Sequence, residues 1–215
     1  MNETDPSRTL VVECASEACS VALFENTKLV ANEHVVLGRG HAERLVPMIA
    51  NLPDKGRAGR ILVSLGPGSF TGVRIGVAAA RALGVAWGAQ VLGYPTLSLI
   101  AARSWQPTPR PVTVCMNGGH GEWFIQNFAN SSQAQDDVRS LPPEEAAEQC
   151  KHYVIAGNRA NELAAVLGDN RLSLDLMPDA SSAYLLNDKQ LTDNLALIYG
   201  REPDAKLPQA KAPSA

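Results

Sequence analysis

Ser69 and Thr71 stand in a glycine-rich turn, Leu65-Gly66-Pro67-Gly68-Ser69-Phe70-Thr71-Gly72. A short apolar run, Ile61–Leu65, enters this turn, and a long helical pattern leaves it and runs to Trp87-Gly88. A strand-to-helix turn of this kind can converge backbone N–H groups on an anion. The neighbouring residues do not complete a phosphate loop. A Walker A loop needs Lys-Ser or Lys-Thr after its second glycine, and here Gly72 is followed by Val73-Arg74. The dinucleotide spacing fails too, because Gly66 and Gly68 meet their third glycine one residue late, at Gly72. No histidine or carboxylate lies close in sequence to activate either hydroxyl as a nucleophile. One of the two is therefore expected to cap the helix.

The other reactive side chains are scattered. Cys14, Cys19, Cys115 and Cys150 form no CxxC pair and have no clustered histidines beside them. They are expected as buried free thiols, in keeping with a reducing cytoplasm. His34 and His41 are separated by a glycine-containing loop, and His120 and His152 stand alone, a spacing that suits no metallohydrolase. A phosphotransferase needs paired carboxylates for its metal, and Glu13 is the one N-terminal candidate.

The bulk composition narrows the classes further. A chain of 215 residues with 45% hydrophobic content can bury one large or two small cores. With a net charge of −3 it offers no broad basic field, which excludes strong autonomous binding to nucleic acid. The polar, acidic start Met1–Arg8 lacks the order of a secretory signal, and Arg74 and Arg81 interrupt the longest apolar stretch. A cytoplasmic protein without a membrane partner is expected.

The elements that must position the turn can be read from apolar periodicity. Thr9–Val12, Ser20–Phe24 and Lys28–Glu33 read as a meander of strands. Leu45, Met48, Ile49 and Leu52 make one helical stripe, with Pro47 expected to bend the helix or confine its regular part. Strands follow at Ile61–Leu65 and Gln90–Tyr94, then a helix from Pro95 to about Arg103. Residues 104–111 hold three prolines and read as a linker. Beyond it come strands at Val112–Met116 and Glu122–Phe128, a short helix opened by Pro142-Pro143, a strand at Tyr153–Gly157, and helices at Asn161–Leu167 and Ala180–Asn187. The same order of elements occurs twice, which implies two α/β domains of related build. They are expected at residues 8–103 and 110–200, with an extended tail over 201–215.

On a helical wheel, Gly72, Gly76, Ala79 and Leu83 fall in one narrow sector, with Arg74 and Arg81 on the opposite side. Val73, Ile75, Val77, Ala82 and Ala86 fill the flanks. A helix so apolar must be covered on most sides, and its small sector would let another helix approach closely. A subunit partner is expected on that face.

Residues Gly66–Gly76, Gly-Pro-Gly-Ser-Phe-Thr-Gly-Val-Arg-Ile-Gly, closely resemble the signature of the TsaB (YeaZ) family. Glu17–Leu23 and His41–Ile49 resemble that family's N-terminal segments in the same order, so the resemblance covers roughly residues 9–103. It implies an α/β fold of two tandem actin-like ATPase (RNase H-like) domains, with mixed sheets flanked by helices. It implies a scaffold in the making of threonylcarbamoyladenosine in tRNA, not a catalyst. The partners it implies are a TsaD-like catalytic subunit and a TsaE-like ATPase. It places ATP and metal on those subunits and none on this chain, leaves a homodimer open when the chain is alone, and brings tRNA in only through the complex. The family's paired helices put the expected interface on Leu45, Met48, Ile49, Phe70, Gly72, Val73, Gly76, Val77, Ala79, Ala80 and Leu83. Two departures stand out. Glu13-Cys14-Ala15-Ser16 replaces an Asp-Thr-Ser, and Asn117-Gly118-Gly119-His120-Gly121-Glu122 replaces a charged Asp-x-Arg-Arg-Gly-Glu run. An actin-like ATPase or phosphotransferase and a glycoprotease-like hydrolase are the competing readings.

Overall fold

Near-continuous apolar runs at Leu10–Val12 and Val21–Phe24 need cover on both faces, and the first sheet supplies it. The computed structural model describes residues 5–168 and 170–200. Strands β1 (Arg8–Glu13), β2 (Ala18–Glu25) and β3 (Lys28–Val36) form an antiparallel meander. Strands β4 (Arg60–Ser64) and β5 (Gln90–Tyr94) add in parallel beside β1, giving the order β3-β2-β1-β4-β5. Helices α1 (His41–Asn51) and α2 (Phe70–Trp87) cover one face, where Leu10, Val12, Val21, Ile61 and Val63 point. Val11, Ala22, Leu62 and Tyr94 point to the other face and meet Leu99 of α3 (Thr96–Trp105).

The second sheet repeats the plan. Strands β6 (Val112–Gly119), β7 (Glu122–Phe128) and β8 (Arg139–Leu141) are antiparallel, while β9 (Val154–Ala156) and β10 (Leu172–Leu174) run parallel to β6. Its order, β10-β9-β6-β7-β8, matches the first sheet strand for strand. Helices α4 (Pro143–Gln149) and α5 (Ala160–Leu167) pack with Cys115, Ile125 and Ile155 on one face. On the other face Leu97, Ile100 and Ala101 of α3 meet Val112, Val114 and Phe124. The fold is thus α/β, two mixed sheets flanked by helices, with α3 buried between them.

Packing crosses the proline-rich stretch in both directions. Helix α3 precedes it yet completes the second core. Ala180 and Ala183 follow it yet belong to the core against β1 and β2. Thr192 pairs with Gly93 of β5, and Ile198 N–H donates to Leu65 O at 2.8 Å. The segment expected as a last helix is a 3₁₀ turn over Ala180–Leu185, tied down where Ala180 N–H donates to Ser20 Oγ at 2.9 Å. Helix α1 runs through Pro47, which faces solvent. The exposed position leaves the carbonyl one turn back open to water, so the lost hydrogen bond costs little. The expected tail over 201–215 lies outside the described residues.

Candidate functional site

The short loop between β1 and β2, residues 14–17, is where the glycine turn, α1 and the second half of the chain converge. Ser69 N–H donates to Ala15 O at 2.7 Å, and a Cβ on Gly68 would lie 2.0 Å from that same oxygen. A Cβ on Gly72 would lie 2.0 Å from Cys14 O. Glycine is therefore required at both positions by close backbone approach. Gly66 has φ of +90°, a conformation that side chains disfavour. Ser69 caps α2 as the sequence leads one to expect, its Oγ accepting from Gly72 N–H at 3.2 Å. On the other flank, buried His41 at the start of α1 places Nε2 3.0 Å from Ser16 O.

The small sector of α2 faces inward. A Cβ on Gly76 would sit at ordinary contact distance from Cys14, Val12 and Val63, all in the chain's own sheet or its edge. Val73, Val77 and Ala80 are buried in the same core as Leu45, Met48 and Ile49 of α1. Ala79 and Leu83 are half-buried against it. Leu45, Met48, Ile49, Gly72, Val73, Gly76, Val77 and Ala80 hold α1 and α2 onto their own sheet. Small residues permit a close approach to a strand as readily as to a helix, and a wheel cannot distinguish them. Of the expected set, Phe70 alone is well exposed, at 55%.

The outward stripe of α2 consists of Phe70, Arg74, Ala78, Arg81, Ala82 and Val85, the last 88% exposed. The neighbouring α1 presents Ala42, Val46 and Ala50, with Val46 63% exposed. Sequence reasoning missed this stripe, although Arg74 and Arg81 already marked the outward side. Both arginines reach toward the last described segment, residues 195–199. The Arg74 guanidinium lies 3.5 Å from the centroid of the Phe70 ring and donates to Tyr199 Oη at 3.2 Å. An Nη of Arg81 is 3.5 Å from Leu195 O.

Between the two sheets lies a cleft of about 300 Å³, lined by Ser16, Glu17, Ser69, Asn117, Gly119 and Tyr199 among others. Its walls are joined by one carboxylate. Glu17 Oε1 accepts from Asn117 Nδ2 at 2.8 Å, and Oε2 accepts from Asn158 Nδ2 at 3.0 Å. Asn158 Oδ1 in turn accepts from Asn117 N–H at 2.9 Å. A negative group already engaged on both oxygens meets whatever enters here.

Glu13, the carboxylate singled out by sequence, does not line this cleft. It is fully buried, accepting from Ala15 N–H at 2.7 Å and from Tyr94 Oη at 3.0 Å. Burial pushes its pKa up to about 7, against the opposing pull of those hydrogen bonds. The histidines stay apart. His34 Nδ1 is 3.7 Å from Asp179, His120 turns the β6–β7 hairpin with φ of +53°, and His152 Nε2 is 2.6 Å from Gln135 Oε1. Among the described residues no three His, Cys, Asp or Glu side chains are grouped to hold a metal ion, and no helix is long and apolar enough to cross a membrane.

Residues 35–169 match the family model described as TsaD: tRNA N6-adenosine threonylcarbamoyltransferase. The chain is 36% identical over 105 residues to the tRNA threonylcarbamoyladenosine biosynthesis protein TsaB of Escherichia coli (strain K12). That match spans 46% of this chain and 45% of the relative, so less than half of the E. coli protein is covered. An uncharacterized protein of Mycobacterium tuberculosis (strain ATCC 25618 / H37Rv) is 34% identical over 215 residues, 96% of this chain and 97% of its own. Among solved structures, YeaZ from Pseudomonas aeruginosa superposes with a TM-score of 0.74 at 24% identity, covering 90% of this chain and 99% of that one. At that identity the likeness speaks for the fold.

Proposed function

The chain belongs to the TsaB family, and on that premise we propose that it is a non-catalytic subunit in the formation of threonylcarbamoyladenosine in tRNA. It docks on a TsaD-like catalytic subunit through the outward stripes of α1 and α2. The observation that carries this reading is the exposure of Val46, Phe70 and Val85 on two adjacent helices whose inner faces are already filled. In this reading ATP and metal are handled by the TsaD-like subunit and a TsaE-like ATPase, and tRNA meets this chain only within the complex. The same stripe serves a homodimer when the partner is absent, since a two-fold interface uses one patch twice. The work takes place in the cytoplasm.

The competing ATPase reading has less support. Phosphoryl transfer needs carboxylates free to hold a metal beside the phosphates. Glu13 is sealed under Tyr94, and Glu17 spends both oxygens on Asn117 and Asn158. A glycoprotease-like hydrolase would need converging metal ligands, and the four histidines sit in separate settings.

The test is size-exclusion chromatography of this chain mixed with the TsaD protein of the same organism at micromolar concentration. Co-elution as a complex is expected. Separate elution of two folded proteins sinks the reading, and calorimetric binding of magnesium-ATP to the chain alone would revive the ATPase.

A further inference from the structure

We propose that Cys14 and Cys19 are a redox pair that closes to a disulfide when hydrogen peroxide reaches the folded protein, and that the closed bridge unseats the loop between β1 and β2. The register places Val12 opposite Val21 and Glu13 opposite Ser20, so the next step along puts Cys14 opposite Cys19. Their Sγ atoms are 3.6 Å apart. A disulfide needs about 2.05 Å, so the sulfurs must approach each other without any strand changing partner. Cys115 has no such opposite number, being paired with Ile125, and Cys150 lies just past α4.

The two thiols are not equivalent. Hydrogen bonding from Cys14 holds the Cys19 thiol below its ordinary value, while the same contact, with burial, pushes Cys14 up. Cys19 is therefore the attacking thiolate. Its sulfur bonds to one peroxide oxygen as the O–O bond breaks, giving a sulfenic acid and a hydroxide that takes up the proton Cys19 released. The Cys14 sulfur then attacks the sulfenic sulfur. The S–S bond forms, the S–O bond breaks, and the hydroxyl leaves as water with the Cys14 proton. Two thiols and one peroxide become one disulfide and two waters, with two electrons passing from the sulfurs to the peroxide oxygens.

Both sulfurs are buried in the first core, and the chain passes from Cys14 straight into the cleft. Ala15 and Ser16, next along the chain, line it. Peroxide is close to water in size and needs only a local opening of this loop. The loop has little room to adjust. Gly72 abuts Cys14 O, Ser69 N–H is bonded to Ala15 O, His41 to Ser16 O, and Glu17 to both asparagines. Drawing Cys14 toward Cys19 pulls on the Ala15 carbonyl that holds the N-terminus of α2.

The full chain treated with hydrogen peroxide under native conditions, then alkylated and mapped by mass spectrometry, provides the test. A Cys14–Cys19 linked peptide is expected, reversed by dithiothreitol. Amide exchange at Ser69 should rise on oxidation and recover on reduction. In the Cys14→Ala variant Cys19 should be trapped by dimedone as a sulfenic acid, whereas Cys19→Ala should leave Cys14 unlabelled. If either variant fails to fold, the wild-type mapping decides alone. Four free thiols persisting in the folded chain, at a dose that oxidises them in denaturant, overturn the proposal. So does a bridge to Cys115 or Cys150. A Cys14–Cys19 bridge that leaves Ser69 exchange unchanged overturns the unseating of the loop.

Discussion

Glu17 and Asn158 are 141 positions apart in the chain and 3.0 Å apart in space, joined carboxylate to amide across the cleft between the two sheets. With the parallel bond from Asn117, Glu17 fastens the β1–β2 loop to the second half of the molecule. Replacing it by alanine removes both bonds and leaves two amide donors that water in the cleft can reach. Glu17→Ala is expected to cost about 1.5 kcal/mol in urea denaturation, the low end for a single charge-assisted bond even though two are lost, because water replaces the acceptor. Amide exchange at Asn117, whose N–H is bonded to Asn158, should quicken. Unchanged exchange there would mean that other contacts hold the cleft.

Gly72 is a packing residue of the monomer. A methyl group at this site would collide with backbone, Cys14 O at 2.0 Å, and backbone cannot swing aside as a side chain can. Gly72→Ala should destabilise by about 2 kcal/mol or more, read as a lower urea midpoint with an unchanged slope. A variant as stable as the parent would show that α2 can ride away from the sheet.

Val85 behaves in the opposite way. It is 88% exposed, so Val85→Asp should leave stability within about 0.5 kcal/mol. If the outward stripe is the docking face, the same change should abolish co-elution with the TsaD protein, and Val46→Asp should do likewise. Folded variants that still co-elute would move the interface elsewhere.

Glu13 gives the stability a pH dependence of defined sign. Its carboxyl titrates near 4.5 when exposed and, raised by burial, at about 7 in the folded chain. Below 4.5 both states hold the proton and burial carries no charge penalty. As the pH rises from 4.5 toward about 7 the unfolded chain releases its proton first, so stability declines, and the loss is complete above the folded value. The fall attributable to this group is at most about 3 kcal/mol. Glu13→Gln keeps an acceptor for Ala15 N–H and should flatten that slope. An equal slope in the variant would assign the dependence to other groups.

Much of this architecture is legible in the sequence, because the signals that build it are local. The apolar runs of β1, β2 and β4 mark the first sheet, and Ser69 before a smooth helical pattern marks the cap of α2. Strands β8 and β10 have three residues each and a serine at the centre, so unlike the equally short but wholly apolar β9 they show no run that marks a strand. The facing of α2 is not legible for a different reason. Gly72 and Gly76 report that something comes close, and composition alone does not say whether it is Cys14 of the same chain or a residue of another. The link from Glu17 to Asn158 has no sequence signature, since it depends on how two separately formed sheets are set against each other.

Ala180 and Ala183 fill the core beside β1 and β2, and Ile198 closes on Leu65. The earliest part of the chain to leave the ribosome therefore cannot reach its native packing when its own strands and helices have emerged. It must wait for the last described segment to be synthesised, with Val11, Leu62 and Tyr94 incompletely covered until then. Domains commonly fold in turn from the N-terminus, but here the two halves are obliged to finish together. A ribosome stalled shortly before residue 180 would hold a chain whose first sheet still has an open apolar face, a natural client for chaperones.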